Sequence, residues 1–356
     1  MCKYKLTLQT DKKKMNKTTK IFIATLLTLI VASGAVLYTF YKMLESPVTT
    51  KESFRLYITP GYTQDKVMES ILLNDPDASV KGLRLWLNHR HYADKVLTGC
   101  YTVNAGASAR EVADMLSGGI QTPVRLRISS VRTVDRMASA ISSQLMMDSA
   151  QVSSLLSDRQ FLDSIGYAPE TVFCMIIPNT YEVWWNITPE ALVKRLLQEK
   201  ERFWNDDRRQ KAARLGMDSN QVMTLASIVE EETAMADELP VVAGLYINRL
   251  KRGMPLQADP TVIFALGGER PKRVLNAHLE IDSPYNTYKI QGLPPAPIRF
   301  VNISSIDAVL NPASHNYLYM CAKEDFSGYH NFASTLSQHN ANAARYRQAL
   351  DKAGIR

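Results

Sequence analysis

Three consecutive carboxylates, Glu230, Glu231 and Glu232, close the apolar run Thr224-Leu225-Ala226-Ser227-Ile228-Val229 and are followed by Thr233. On a helix turning about 100° per residue, Leu225, Ala226 and Val229 share a face with Val222, and that face is expected to be buried. Glu231 then points about 180° away from it, whereas Glu230 and Glu232 flank it at roughly 80° from its centre, so only those two are expected to be half-buried. A carboxyl group beside apolar neighbours loses hydration of its charged form. Its pKa rises, and it can hold a proton near neutral pH, as a general acid must. Taken in isolation, three glutamates at a helix end are equally what a solvated face looks like, so the surrounding elements have to decide.

Asp218 or Ser219 is the natural cap of the helix that carries these glutamates. Ahead of it, a charged amphipathic helix is predicted over 189–210, with Ala191, Leu192, Leu196 and the Phe203-Trp204 pair on one face. Behind it, 239–250 reads as another amphipathic helix, stopped by Gly253. The pattern then turns irregular and polar: Pro255-Leu256-Gln257-Ala258-Asp259-Pro260-Thr261, Asp282-Ser283-Pro284-Tyr285-Asn286-Thr287-Tyr288, and Gly292-Leu293-Pro294-Pro295-Ala296-Pro297-Ile298. Long loops of this composition suit a substrate groove. Tyrosine rings stack on pyranose faces, and amides pair with hydroxyl and acetamido groups.

The net charge of +7 does not mark a nucleic-acid binder, because residues 1–20 hold seven lysines against Asp11 and the other 336 residues sum to +1. A basic stripe in the folded part would be needed, and none stands out. Residues 21–41 carry no charge and are long enough to cross a bilayer once; the lysines before them place the N-terminus in the cytoplasm and the rest of the chain outside. A cleaved signal peptide fits less well, since the run is longer than an h-region and no small-x-small site follows it before Tyr38 and Phe40. Met15 is an alternative start with the same orientation. Cys100, Cys174 and Cys321 are far apart and lack histidines at ligand spacing, so neither a disulfide framework nor a metal site is read; a single disulfide of unassigned pairing stays open. His89 and His91, two apart on a presumed helix, face different ways and read as solvated or packing side chains.

Residues 54–145 hold a weak repeat of strand, turn and capped helix. The strand-like runs Phe54-Arg55-Leu56-Tyr57-Ile58 and Tyr101-Thr102-Val103 end in turns at Gly61 and Gly106, and Thr63 and Ser108 then cap helices with matching apolar positions, Val67 and Ile71, Val112 and Leu116. A looser third copy runs from Val124-Arg125-Leu126-Arg127-Ile128 through Thr133 to Met137 and Ile141. Such small units more often bind than catalyse. The segment from Gly99 to Gly106 with the helix after it resembles the LysM-like segment found ahead of certain cell-wall enzymes.

Five motifs in order, Leu225 to Thr233, Tyr246-Ile247-Asn248-Arg249-Leu250, Gly253 to Val262, Tyr285-Asn286-Thr287-Tyr288 and Gly292-Leu293-Pro294-Pro295, closely resemble the endolytic murein transglycosylases of the MltG (YceG-like) family. Pro312, Tyr317-Leu318-Tyr319 and His330-Asn331-Phe332 extend the resemblance through 178–350. Two departures stand out. Where relatives read Glu-Gly-x-Leu-x-Pro-Asp-Thr-Tyr, this chain has Met175-Ile176-Ile177-Pro178-Asn179-Thr180-Tyr181, and a Pro-Glu-Gly is replaced by Ile128-Ser129-Ser130-Val131. The resemblance therefore does not carry over any substrate contact made from the entry to the domain, while the glutamate motif is whole.

The resemblance implies an α+β protein with a basic cytoplasmic tail (1–20), one transmembrane helix (21–41), a LysM-like region (50–145) and a catalytic domain (146–356) with a glutamate-bearing helix and groove-forming loops. It implies a lytic transglycosylase in the cytoplasmic (inner) membrane, facing outward. The enzyme would cut the MurNAc–GlcNAc β-1,4 bond of nascent peptidoglycan strands, limit their length and leave 1,6-anhydro ends. No cofactor, metal or nucleic acid is implied, and peptidoglycan synthases are the expected protein partners. Glu230 is implied as the catalytic acid and then base, with Glu232 the runner-up or a neighbour that raises its pKa. Asn286 and Gln257 would orient N-acetyl groups or steady the transition state; Asp259, Thr261, Tyr285 and Tyr288 would shape the groove; His330 reads as structural. The alternatives are a hydrolase using the same glutamate and a non-catalytic, membrane-anchored glycan-binding scaffold for cell-wall synthases.

Overall fold

The computed structural model describes residues 16–267 and 275–354. Residues 1–15 of the lysine-rich tail, with both candidate start methionines, lie outside the described residues. Contacts divide the chain into two compact units, 1–122 and 123–356. Both are mixed α and β, and the described residues form three two-stranded antiparallel sheets.

In the first unit, α1 (Lys17–Glu45) runs 29 residues from its Asn16 cap. It is long and apolar enough to cross a membrane, at a mean hydropathy of 2.3, and buries none of that stretch in the protein. The first two copies of the repeat form as expected and pair with each other. β1 (Phe54–Ile58) runs antiparallel to β2 (Gly99–Val103), with Leu56 opposite Tyr101. Gly61 and Gly106 turn the chain at φ +82° and +81°, a region open to glycine at little cost. α2 (Gln64–Asn74), α3 (Val80–His89) and α4 (Ala109–Gly118) follow, and Ser108 and Glu111 form a reciprocal capping box at the start of α4. Leu56, Val67, Ile71, Leu83, Leu87, Val112 and Leu116 meet in one core.

The third copy keeps its local form but not its partners. β3 (Val124–Arg127) pairs with a later strand, so the units divide at Thr122/Pro123, ahead of the boundary expected at 145/146. α5 (Val134–Ser142), capped by Thr133 and burying Met137 and Ile141, leads into α6 (Ser149–Ser157) and α7 (Arg159–Ser164). β4 (Thr180–Val183) is the partner of β3. The single helix expected over 189–210 is two, α8 (Pro189–Phe203) and α9 (Asp206–Arg214): Asn205 accepts from the Arg208 N–H and starts a new helix, with Trp204 buried at the corner.

The centre of this unit is α10 (Ser219–Glu232), opened by a capping box between Asp218 and Gln221. The expected single apolar face is exceeded, because every residue from Val222 to Val229 is buried. α10 packs against α11 (Leu239–Lys251) and α13 (Ile303–Leu310), with α12 (Asp259–Ala265) between these in sequence. Even its hydroxyls are satisfied inside: Ser227 donates to the Thr224 carbonyl at 2.7 Å and accepts from the Ile298 N–H at 3.0 Å. β5 (Tyr319–Ala322), β6 (His330–Ala333) and α14 (Leu336–Ala353) complete the unit.

Close approach to α11 depends on Gly244. A Cβ there would lie 2.6 Å from the Ala313 carbonyl oxygen and 2.7 Å from His315 Nε2, while that ring nitrogen already bonds the Val241 carbonyl at 2.9 Å. Gly244→Ala is therefore expected to destabilise this unit by about 1–3 kcal/mol through overpacking, read as a lowered urea midpoint at unchanged slope.

Candidate functional site

The three carboxylates at the end of α10 go to three different places. Glu230 accepts from the Asn302 N–H and from Asn302 Nδ2, both at 2.8 Å, with Arg299 Nη2 at 3.3 Å. Asn302 is the cap of α13, so Glu230 clasps one core helix to another. Glu231, expected to face solvent, is only 7% exposed at its side chain. Because α10 is buried all round, its far side meets protein: Arg132 grips Glu231 through Nε at 2.6 Å and through Nη2, and Arg299 Nη1 binds it at 2.7 Å. Arg299 Nε also donates to Ser130 Oγ at 2.9 Å. The bond to Glu231 is the main cause that raises the Arg132 pKa. Ser130 belongs to the segment that departs from the family pattern and Arg132 directly follows it, so this stretch helps hold the end of α10.

Glu232 alone of the three lines a cavity of about 330 Å³. Its Oε1 accepts from the Tyr246 hydroxyl at 2.6 Å. Tyr246 and Arg249 reach the same space from one face of α11, joined by Gln257 and Tyr288 from the loops, Asp259 from the start of α12, Tyr319 from β5, His330 from β6 and His339 from α14. Burial above all, then the charge of Glu232, pushes the Tyr246 phenol well up, so it stays a neutral donor. Burial also lowers the Arg249 pKa, and its guanidinium donates to the Pro255 and Leu318 carbonyls at 2.9 and 3.1 Å and to Gln257 Oε1. His339 stacks on Tyr319 at 5.5 Å, and burial followed by the charge of Arg249 lowers its pKa, which favours the neutral ring.

Of the residues expected to bind substrate, Gln257, Asp259 and Tyr288 share this cavity with Glu232. Gln257 adopts φ +53°, unusual for a side chain with a Cβ, and is held there by its N–H to the Thr287 carbonyl at 3.0 Å and by Arg249. Tyr288 donates to Asp259 Oδ1 at 2.6 Å; burial, then that bond, raises its pKa.

The others lie elsewhere. Asn286 is fully buried and donates both amide hydrogens, to the Leu279 and Ile281 carbonyls at 2.8 Å each, while its Oδ1 accepts from the Tyr288 N–H at 3.0 Å. It orients the loop, with no amide hydrogen left for an acetamido group. Thr261 is likewise buried, bonded to the Ala258 carbonyl at 2.7 Å and to Thr287 Oγ1 at 2.8 Å. Tyr285 packs on Phe264 at 4.7 Å against the core. Gly292-Leu293-Pro294-Pro295 lines a second cavity of about 670 Å³ with Asp218, Gln221 and Thr224, at the N-terminal end of α10. A fourteen-residue helix is about 20 Å long, so that motif is remote from Glu232.

Asn286→Ala would leave the part-buried Leu279 and Ile281 carbonyls without their donor. It is expected to cost about 2 kcal/mol of stability and to loosen the Tyr288 loop, seen as a lower melting temperature and faster proteolysis within 275–290.

Tyr246, Arg249, Tyr319 and His339 were missed as site residues in the sequence. The first two carried a signal, since positions 246 and 249 are neighbours on a helix face within a matched motif. Tyr319 also stood in a matched run, whereas His339 carried no signal, and the place of both depends on how β5, β6 and α14 return to α10.

The YceG-like family model matches residues 56–345. The endolytic murein transglycosylase of Bacillus subtilis is 29% identical over 339 residues, covering 89% of this chain and 91% of that protein. The endolytic murein transglycosylase of Streptococcus pneumoniae (strain D39) is 29% identical over 175 residues, 48% of this chain and 31% of that longer protein. The crystal structure of a yceG-like protein from Listeria monocytogenes superposes with a TM-score of 0.53 at 27% identity, covering 82% of this chain and 99% of that one. The ordered motifs, the glutamate-ended buried helix and a match over most of its length place one conclusion beyond the single features: the chain belongs to the YceG-like family.

Proposed function

We propose that the protein is an endolytic murein transglycosylase, and that Glu232, not Glu230, is its acid. The observation that carries the assignment is that Glu232 faces the polar cavity, whereas Glu230 is engaged by the cap of α13. The match to relatives named for this activity over nine-tenths of the Bacillus protein's length supplies the reaction class. In this reading Glu232 protonates the glycosidic oxygen as the MurNAc C1–O bond breaks, and the MurNAc C6 hydroxyl closes on C1 to give a 1,6-anhydro end without consuming water. In its simplest form the same carboxylate then receives the C6 hydroxyl proton. Tyr246 fixes the orientation of Glu232, and Gln257, Tyr288 and Tyr319 offer amide and ring surfaces to sugars.

Asp259 is a second carboxylate in the cavity, which is what a hydrolase would require. Its bond to Tyr288 supports a structural part for it instead. A scaffold without chemistry gives no account of a carboxylate aimed into a polar cavity. α1 serves as the membrane anchor, with the lysine-rich end cytoplasmic and both folded units outside, the first acting as a LysM-like glycan-binding module beside peptidoglycan synthases. The test is the nature of the new strand ends: anhydro ends resist borohydride, and ends that accept hydride would make the enzyme a hydrolase.

A further inference from the structure

His330 stands in the wall of the same cavity with a buried carboxylate behind it. Its Nδ1 lies 2.9 Å from Glu238 Oε2, and its backbone N–H donates to Glu238 Oε1 at 2.7 Å. Glu238 is 7% exposed at its side chain and also accepts from Thr233 Oγ1 at 2.9 Å, directly after Glu232 in sequence. A carboxylate can only accept, so in the neutral ring Nδ1 carries the hydrogen and Nε2 the lone pair. Among the described residues nothing hydrogen-bonds Nε2, and the side chain keeps 16% of its exposure where it lines the cavity. An imidazole with its tautomer fixed by a buried carboxylate and its second nitrogen open to a cavity is the arrangement of a general base.

Resting on the transglycosylase reading, we propose that His330 is a second acid–base group, which takes the proton of the attacking MurNAc C6 hydroxyl. The oxygen of that hydroxyl forms the new bond to C1 as the C1–O4 bond breaks, and the electron pair leaves with the GlcNAc oxygen, which receives the proton of Glu232. The C6 proton moves to His330 Nε2, giving an imidazolium faced by Glu238. Return of that proton to Glu232 through solvent resets both groups, so no water is consumed and nothing is oxidised. Among the described residues that line the cavity, the charged side chains besides Glu238 behind the ring are Glu232, Asp259 and Arg249, and His339, Cys321 and the phenols of Tyr246, Tyr288 and Tyr319 are the neutral titratable groups.

The two schemes differ in their pH dependence. A single carboxylate that gives and then takes the proton leaves kcat/KM flat toward acid pH, because the required form is the protonated one. A separate neutral imidazole makes the rate fall on the acid side. The experiment measures kcat/KM against pH for the full-length protein in detergent on uncrosslinked glycan strands, for wild type, His330→Asn, Glu238→Gln and Glu232→Gln. Asparagine keeps an N–H for Glu238 but has no base. We expect an acid limb in wild type, a loss of about 10²–10⁴-fold with no acid limb in His330→Asn, and a lower rate that keeps its acid limb in Glu238→Gln, where the carboxylate no longer holds the ring in one tautomer. A wild-type rate that stays flat toward acid, a His330→Asn rate within about threefold of wild type, or a Glu238→Gln rate equal to wild type overturns the proposal. Should His330→Asn fail to fold, the wild-type profile and the Glu238→Gln rate decide. Wild type that makes no anhydro ends at any pH sinks the transglycosylase reading itself, a separate outcome from a missing limb.

Discussion

Glu232→Gln is expected to lower strand cleavage by at least about 10³-fold, while Glu230→Gln keeps it within a few-fold of wild type. Glutamine at 232 preserves volume and can still accept from the Tyr246 hydroxyl, while the transferable proton is removed. Glutamine at 230 keeps one oxygen to accept from Asn302; what it loses is the second acceptor and the charge opposite Arg299, a matter of stability more than of rate. Initial rates on defined strands, with melting temperatures of both variants, check this pair. The reverse ranking would return the acid to Glu230, where the family resemblance first put it.

The largest effect on stability is expected at Arg299. Its guanidinium serves Glu231, Glu230 and Ser130 together, and the side chains of Arg299, Glu230 and Glu231 are 15%, 10% and 7% exposed. Arg299→Met fills a similar volume but leaves two largely buried carboxylates short of a cation, and breaking a buried pair from one side costs about 3–5 kcal/mol. For a unit of this size that lowers Tm by about 10 °C. Arg132→Ala removes a partner that is 38% exposed, and solvent screening holds its cost to about 1 kcal/mol. Calorimetry of both variants checks the order, and an Arg299→Met protein as stable as Arg132→Ala would show that the network does not hold the end of α10.

Local features were legible in the sequence because local physics decides them. Thr63, Ser108 and Thr133 cap the helices expected of them, the glycine turns fall where the strands end, and α10 starts at Asp218. The failures are long-range. A helical wheel places Glu231 opposite the apolar stripe, but it assumes that the opposite side is water; Arg132 and Arg299 come from 99 and 68 residues away to occupy it. Glu230 and Glu232 look equivalent on the wheel, and what separates them is the cap of α13 on one side and the return of α11, β5 and β6 on the other. Asn286 has a composition suited to sugar recognition, yet its loop folds so that three backbone groups consume its amide. The break at Asn205 was concealed by an apolar pattern that runs through the corner, where Trp204 is buried.

The central claim is that the cavity around Glu232 breaks a glycosidic bond without water. It is tested most directly by mass spectrometry of the fragments released from uncrosslinked glycan strands by the full-length protein, with Glu230→Gln and Glu232→Gln alongside. The account expects fragments lighter by one water than reducing-ended glycan from wild type and from Glu230→Gln, and none from Glu232→Gln. Reducing ends from wild type, or anhydro ends that persist in Glu232→Gln, would contradict it.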